Sequence, residues 1–216
     1  MLLLAIDTST PAVTAALHDG ARVLAESVTV DARRHGEALA PNIAEVLAEV
    51  GASPRDLTDV AVGVGPGPFT GLRVGLVTAR VMASTLGLPL HGVCSLDALA
   101  ALADVEGDFL VATDARRREV YWARYAGPYS RLTAPAVDVP SAVAAIAPAL
   151  PVVGQGGVLY PDWFPDVRPP EHVSAGALAT VAVHRLDEGV PLLPADPLYL
   201  RRPDATPPPA RVPATP

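Results

Sequence analysis

This sequence predicts an α/β protein of two related lobes, on three observations. Strand-like apolar runs alternate with helical patterns over the first hundred residues. A second series of the same kind begins near residue 109. Finally, LLLAIDTSTPAVTAAL (2–17) lies over FLVATDARRREVYWAR (109–124) at a constant offset of 107, half the chain, which sets Asp7 on Asp114 and Val13 on Val120. The identity is thin: it is either chance or the trace of a duplication in which each lobe opens with an apolar strand ending in Asp. The expected organisation is a first lobe over 1–104, a second over 105–202 and a disordered Pro-rich tail over 203–216, where six prolines meet no apolar periodicity.

The elements of the first lobe follow from local pattern. Leu2–Asp7 is a buried strand. Ala12–Leu17 and Arg22–Val30 form a hairpin turned at Asp19-Gly20. Residues 37–50 place Leu39, Ile43, Val46, Leu47 and Val50 at helical spacing, with Pro41 either starting or kinking that helix. Val60–Val64 is a short buried strand. It breaks into GVGPGPFTGLRVG (63–75), after which a helix runs from about Thr70 to Leu86. Leu90–Val93 is a strand, and Ser95 caps a short helix. In the second half, Phe109–Asp114, Glu119–Ala126 and Pro151–Val153 read as strands. The last leads into Gly154-Gln155-Gly156-Gly157, and Ser174 caps a final helix over 174–188.

Composition bounds the function. Half of the residues are apolar and 18% are charged, which suits a compact domain and not a disordered chain. The single Cys94 excludes an internal disulfide or a Cys-rich zinc site and reads as a small buried apolar residue. Leu2–Ile6 lacks the basic start of a signal peptide. The longest apolar candidate, Ala142–Val153, is interrupted by Pro148 and Pro151, so no membrane span is expected and the cytoplasm is the expected compartment. All sixteen basic residues are Arg, yet the formal charge is −7. Such a chain is a poor autonomous nucleic-acid binder, because the phosphate backbone demands clustered positive charge.

The glycine loop lacks the Gly-Lys-Ser/Thr of a P-loop and does not fit GxGxxG. Two readings remain: an anion cradle at a helix start capped by Thr70, or a tight strand-to-helix turn. In the helix that follows, Gly71, Gly75, Ala79 and Ala83 form a smooth stripe, opposite Val74, Val77 and Val81. A helix apolar on both sides is covered on both, one side by its own sheet and the other by another helix or a partner.

In order along the chain, IDTSTPAVTAAL, RRHGEALAP, GVGPGPFTGLRVG, GVCSLDALA, DARRREVYWARY and PLYLRR resemble the bacterial TsaB (YeaZ) family from residue 2 to about 202. The loop follows the family's Gly-Pro-Gly-Ser-Phe-Thr-Gly-Leu-Arg pattern, with Pro68 where Ser is usual. The resemblance implies the two-lobed fold of actin, sugar kinases and Hsp70 chaperones, with a shortened second lobe. It also implies work on tRNA: formation of threonylcarbamoyl-adenosine beside the anticodon, carried out by a paralogous metal-binding transferase, TsaD, with an ATPase, TsaE. The family member itself serves as a scaffold or activator and often forms a homodimer. On this reading tRNA is reached only through the complex, and no membrane is involved. The partner interface falls on helices 37–50 and 70–86, at Leu39, Ile43, Val46, Leu47, Gly71, Arg73, Gly75, Ala79 and Ala83.

Catalytic and metal-binding residues are not expected in this chain. Its histidines, 18, 35, 91, 172 and 184, are never three or four apart, so none form a His-x-x-x-His metal pair. A nucleotide cleft of this fold wants Asp-x-Gly-Ser/Thr. Asp7-Thr8-Ser9-Thr10 has Ser9 in the glycine place, and Asp114-Ala115-Arg116 has no glycine there. Asp7, Ser9, Thr10, Asp114, Gly154, Gly156 and Gly157 therefore mark a degenerate cleft, with at most weak ATP or ADP binding and no resident cofactor. A stand-alone small kinase or ATPase of the same fold is the competing reading. Arg116–Arg118 with Arg124 form the densest basic cluster, either a solvated hairpin tip or a contact with RNA or an acidic partner. Tyr121 and Trp122 face opposite ways on a strand, so only one of them shares a face with any given Arg.

Overall fold

The computed structural model describes residues 1–201; the expected tail over 203–216 lies outside the described residues. The chain opens with strands β1 (Leu3–Asp7), β2 (Ala12–His18) and β3 (Val23–Val30), then helix α1 (His35–Val50), β4 (Asp59–Gly63), α2 (Phe69–Leu86), β5 (Leu90–Val93) and α3 (Ser95–Ala101). The second series is β6 (Phe109–Asp114), β7 (Val120–Gly127), β8 (Ser130–Arg131), β9 (Ala136–Asp138), α4 (Pro140–Ile146), β10 (Val152–Val153), α5 (Gln155–Leu159), β11 (Val167–Arg168) and α6 (Ala175–Asp187).

The first sheet has the order β3-β2-β1-β4-β5, with β1, β4 and β5 parallel and β2 and β3 antiparallel to their neighbours. The second runs β11-β10-β6-β7, with β8 and β9 both pairing β7, and repeats that topology: β6, β10 and β11 are parallel, β7 and β9 antiparallel. The two sheets are thus copies of one plan, the actin-like two-lobed fold, with the second copy shortened to strands of two or three residues at its margins. The constant offset of 107 holds only across the first strand of each lobe. Asp7 pairs with Thr14 but Asp114 pairs with Val120, so the second hairpin is one residue shorter and Val13 is not the counterpart of Val120.

Alternation along β1 builds two cores. Leu4 and Ile6 pack with Leu39, Ile43, Val46, Leu72 and Leu76 of α1 and α2. Leu3 and Ala5 turn to the other face and join Phe109, Tyr125 and the residues of α3 and α6. This second core is shared, because the lobes exchange their last helices: α3 lies on β6 and β7, and α6 lies on β1, β2 and β3. The chain then stays on the first lobe. Gly92 and Leu193 exchange backbone hydrogen bonds, and Leu198 N–H donates to the Val64 carbonyl. The lobe boundary expected at 105–202 is corrected accordingly: residues 174–201 belong with the first sheet, because the apolar face of α6 has its largest cover there.

Cap assignments also shift. α1 starts at His35, so Pro41 sits inside it. α2 starts at Phe69 with Pro68 as N-cap, and Thr70 falls in its first turn. α3 is capped at Cys94; Ser95 Oγ is occupied elsewhere, as described below. Ser174 does cap α6, accepting from Ala177 N–H at 3.0 Å. Cys94 is fully buried, and burial pushes its thiol up to about 12, so it behaves as a core residue.

Candidate functional site

The turn after β1 organises the space between the lobes. Asp7 is fully buried. Ser9 donates to its Oδ1 from both N–H and Oγ at 2.7 Å, and Ser95 Oγ donates to its Oδ2 at 2.6 Å. Ser95 Oγ in turn accepts from Gly65 N–H at 3.1 Å, which ties the glycine loop to the same carboxylate. Gly63 lies beneath: a Cβ there would fall 1.7 Å from Asp7 Oδ2. Both carboxylate oxygens are therefore consumed by the chain itself, and Asp7 acts as a pin joining β1, β4 and α3.

Burial raises the Asp7 carboxyl above the usual carboxylate range, and the hydrogen bonds from Ser95 and Ser9 pull in the opposite direction. The native state thus holds this proton more tightly than the unfolded chain. The resulting stabilisation is complete below the ordinary carboxylate range and is lost as pH rises through the raised folded value. Asp7→Asn does not titrate, so its stability is expected to fall less than that of the wild type from about pH 4 upward. Urea midpoints of the two proteins across pH 4–8 test this; parallel curves would contradict it.

Thr8 explains the glycine stripe. Its Oγ1 donates to the Gly71 carbonyl at 2.7 Å and accepts from Gly75 N–H at 3.0 Å, so the hydroxyl stands inside the helical ladder between residues i and i+4. A Cβ on Gly71 would meet the Thr8 carbonyl at 2.6 Å, and one on Gly75 would meet Thr8 Oγ1 at 2.6 Å. Gly67 allows the same closeness to Ser9, where a Cβ would meet its carbonyl oxygen at 2.4 Å. The loop is thus built for backbone-on-backbone packing against the turn at 8–10.

A cavity of about 280 Å³ opens between this turn, the starts of α1 and α2, and the second lobe. It brings together Ser9, Thr10 and Asp114 of the expected cleft, and adds Arg33, His35, Arg116 and Gln155. His35 Nε2 donates to the Thr10 carbonyl at 2.8 Å. Asp114 is engaged by Arg116 through N–H at 2.8 Å and through the guanidinium at 3.3 Å. Thr113 also lines the cavity, and its buried hydroxyl has no protein partner. Asp7 is screened from this cavity by its donors. Gly154, Gly156 and Gly157 are not in its wall either. Gly154 sits at φ +104, a Cβ there would meet the Ala112 carbonyl at 2.4 Å, and one on Gly156 or Gly157 would press on Ala112 or Val167. These glycines seat α5 on β6, a packing role that a run read as a turn did not reveal.

The expected partner interface is corrected in the same way. Leu39, Ile43, Val46, Leu47, Gly71, Gly75, Ala79 and Ala83 are all buried against this chain's own sheet. Only Arg73 of that set is exposed. The outward face of α2 carries Phe69, Arg73, Val77, Arg80 and Val81, with Val77 56% and Val81 58% exposed. Beside it, Ala40, Ala44 and Ala48 of α1 make an exposed row one turn apart. The exposed face of α2 is this one, on the opposite side from the glycine stripe.

The basic cluster divides. Arg124 pairs with Asp108 near the far end of β7, away from the tip. Arg116, Arg117 and Arg118 are exposed and adopt φ of 61°, 54° and 62°, three successive left-handed residues that no glycine relieves. Tyr121 turns toward this tip, whereas Trp122 packs in the opposite core with Leu110 and Phe164 and donates to Asp138 at 2.8 Å.

Among the described residues no three His, Cys, Asp or Glu side chains converge on a metal-sized point, and no helix is long and apolar enough to cross a membrane. His91 pairs with Asp59 and His184 with Glu188, so these rings have structural partners.

Sequence and structure comparisons agree with this architecture. The family TsaD, tRNA N6-adenosine threonylcarbamoyltransferase, matches residues 22–156. An uncharacterized protein of Mycobacterium tuberculosis is 50% identical over 210 residues, 95% of this chain and 94% of its own length. The tRNA threonylcarbamoyladenosine biosynthesis protein TsaB of Escherichia coli is 38% identical over 128 residues, 58% of this chain and 55% of its own length. The solved structure of YeaZ from Pseudomonas aeruginosa superposes with a TM-score of 0.79 at 31% identity, covering 92% of this chain and 99% of that one.

Proposed function

The chain belongs to the TsaB (YeaZ) family, and from that premise we propose that it is the accessory subunit of a tRNA threonylcarbamoyladenosine-forming complex, pairing with a TsaD-type transferase and working with a TsaE-type ATPase. The full-length likeness to YeaZ carries this reading. The exposed face of α1 and α2 supports it: a two-helix surface with Ala40, Ala44 and Ala48 beside Val77 and Val81 suits packing by helices of a paralogous first lobe. The same face serves a homodimer when the transferase is absent.

The reading includes a non-catalytic role. Asp7, the strand-end carboxylate that an ATPase of this fold presents to its nucleotide, is saturated by Ser9 and Ser95, and Ser9 adds a side chain where close phosphate approach needs glycine. An autonomous kinase or ATPase is therefore the weaker alternative. Magnesium-ATP at a hundred times its dissociation constant would stabilise such an enzyme by about 2.7 kcal/mol, and a flat thermal-shift titration is the expected result.

An omission assay decides the role. Unmodified tRNA, threonylcarbamoyl-adenylate, the host transferase and the ATPase are incubated with and without this chain. Modified nucleoside is expected only in its presence. Equal product without it would overturn the accessory role.

A further inference from the structure

One hollow is left unexplained by packing, at the Phe69 end of the outward face of α2 and two turns or more away from Val77 and Val81. It lies between the glycine loop, the hairpin tip after β6 and residues 199–201, with a volume of about 400 Å³. We propose that it holds an unpaired nucleotide of the RNA substrate, with the base against the Phe69–Tyr199 pair and the phosphates on the arginine tip. This rests on the tRNA-modifying role proposed above. It departs from the expectation that tRNA is reached only through partners.

Three observations carry it. The first is aromatic. Phe69 and Tyr199 stack with centroids 5.2 Å apart and an interplanar angle of 27°, yet they remain 46% and 41% exposed. The Arg73 guanidinium carbon stands 3.7 Å from the Phe69 ring centroid. Ring and guanidinium planes presented together at a surface are what unstacked bases use, and they tolerate any base. The second is charge. Arg116 and Arg201 line the hollow, paired with Asp114 and Glu119, Arg73 lies over the Phe69 ring and Arg118 stands exposed at the tip, on a chain whose formal charge is −7. Arg201 is fixed to the wall by Glu119 and by a 3.1 Å bond to the Ala115 carbonyl. A local excess of positive charge on an acidic protein selects a polyanion. The third is backbone. Arg116, Arg117 and Arg118 are three successive left-handed residues, all exposed, and carry a cost in strain of the kind found in functional turns. An acidic peptide would satisfy the charge but has no use for an aromatic platform of this kind, so single-stranded RNA is the better occupant.

The test uses the full chain assembled with its transferase and ATPase, with an unmodified tRNA transcript as probe. Tyr199→Leu is expected to weaken tRNA binding about tenfold, Tyr199→Trp to restore it, and KM for tRNA to rise while kcat stays. Arg118→Glu is expected to weaken binding for every tRNA and to lower the salt slope by about one. Tyr199 and Arg118 are both exposed, and melting temperatures close to wild type verify the fold. If the variant complexes assemble and bind tRNA with wild-type affinity, the proposal is overturned. If assembly fails instead and RNA affinity is untouched, the hollow is a protein-docking site and the proposal is equally overturned. The omission assay judges the accessory role separately. When it is positive, an unchanged tRNA affinity counts against the hollow alone.

Discussion

Asp97→Ala is expected to destabilise the protein by about 3–5 kcal/mol, because it strands buried positive charge. At two to four degrees per kcal/mol, the melting temperature should fall by roughly 6–20 °C. Asp97 sits in the first turn of α3 and is 4% exposed. Its Oδ1 accepts from the Tyr125 hydroxyl at 2.8 Å and from Arg131 at 2.9 Å; its Oδ2 accepts from Arg185 at 2.7 Å. These donors come from β7, β8 and α6, so one carboxylate on α3 joins two strands of the second sheet to a helix that covers the first. The arginines are mostly buried, with 28% and 22% of their side chains exposed. Burial and the Asp97 charge also hold the Tyr125 phenol well above its ordinary range, so it remains a donor throughout the physiological range. Asp97→Asn keeps an acceptor for one donor and should recover part of the loss. A fall of under about 3 °C for Asp97→Ala would show that the exchanged helices hold the lobes without this junction.

How far the sequence revealed this architecture depends on whether the deciding contact was local. Strands ending at Asp7 and Asp114, the Asp19-Gly20 hairpin and the spacing of Leu39 to Val50 were legible, because period and turn chemistry act over a few residues. The direction of α2 was not. Apolar residues lie on both its sides, and the choice is made by Thr8, 63 residues upstream of Gly71, whose hydroxyl only a glycine pair admits. Ser95 reads locally only as a helix cap and Asp97 gives no local signal, because their partners lie 88 residues away on either side, at Asp7 and Arg185. Strands β8 and β11 have two residues each, too few to show any period. α5 contains two glycines and reads as a turn until β6 is seen beneath it. The Phe69–Tyr199 pair joins residues 130 apart and left no local signal.

Val77→Asp combined with Val81→Asp is expected to weaken pairing with the transferase by more than a hundredfold, since unpaired carboxylates in a desolvated helix seam cost roughly 3–5 kcal/mol. Both side chains are more than half exposed in the free chain. The variant should therefore melt close to the wild type, within about 0.5 kcal/mol per site. Gly75→Leu makes the converse case. It forces a side chain onto Thr8 Oγ1 and breaks the bridge in the α2 ladder, so it should lower stability by about 1–3 kcal/mol or more. Pairing should then fail only to the extent that the chain unfolds. Titration calorimetry together with melting curves separates the two. If Gly75→Leu abolishes pairing in a fully folded protein while the valine pair is silent, the partner meets the glycine side after all, and α2 must leave its own sheet to do so. The opposite pattern places the seam on the outer face. There the smooth row at Ala40, Ala44 and Ala48 gives a second helix layer close access to α1, short of the glycine-only contact that Thr8 makes with α2.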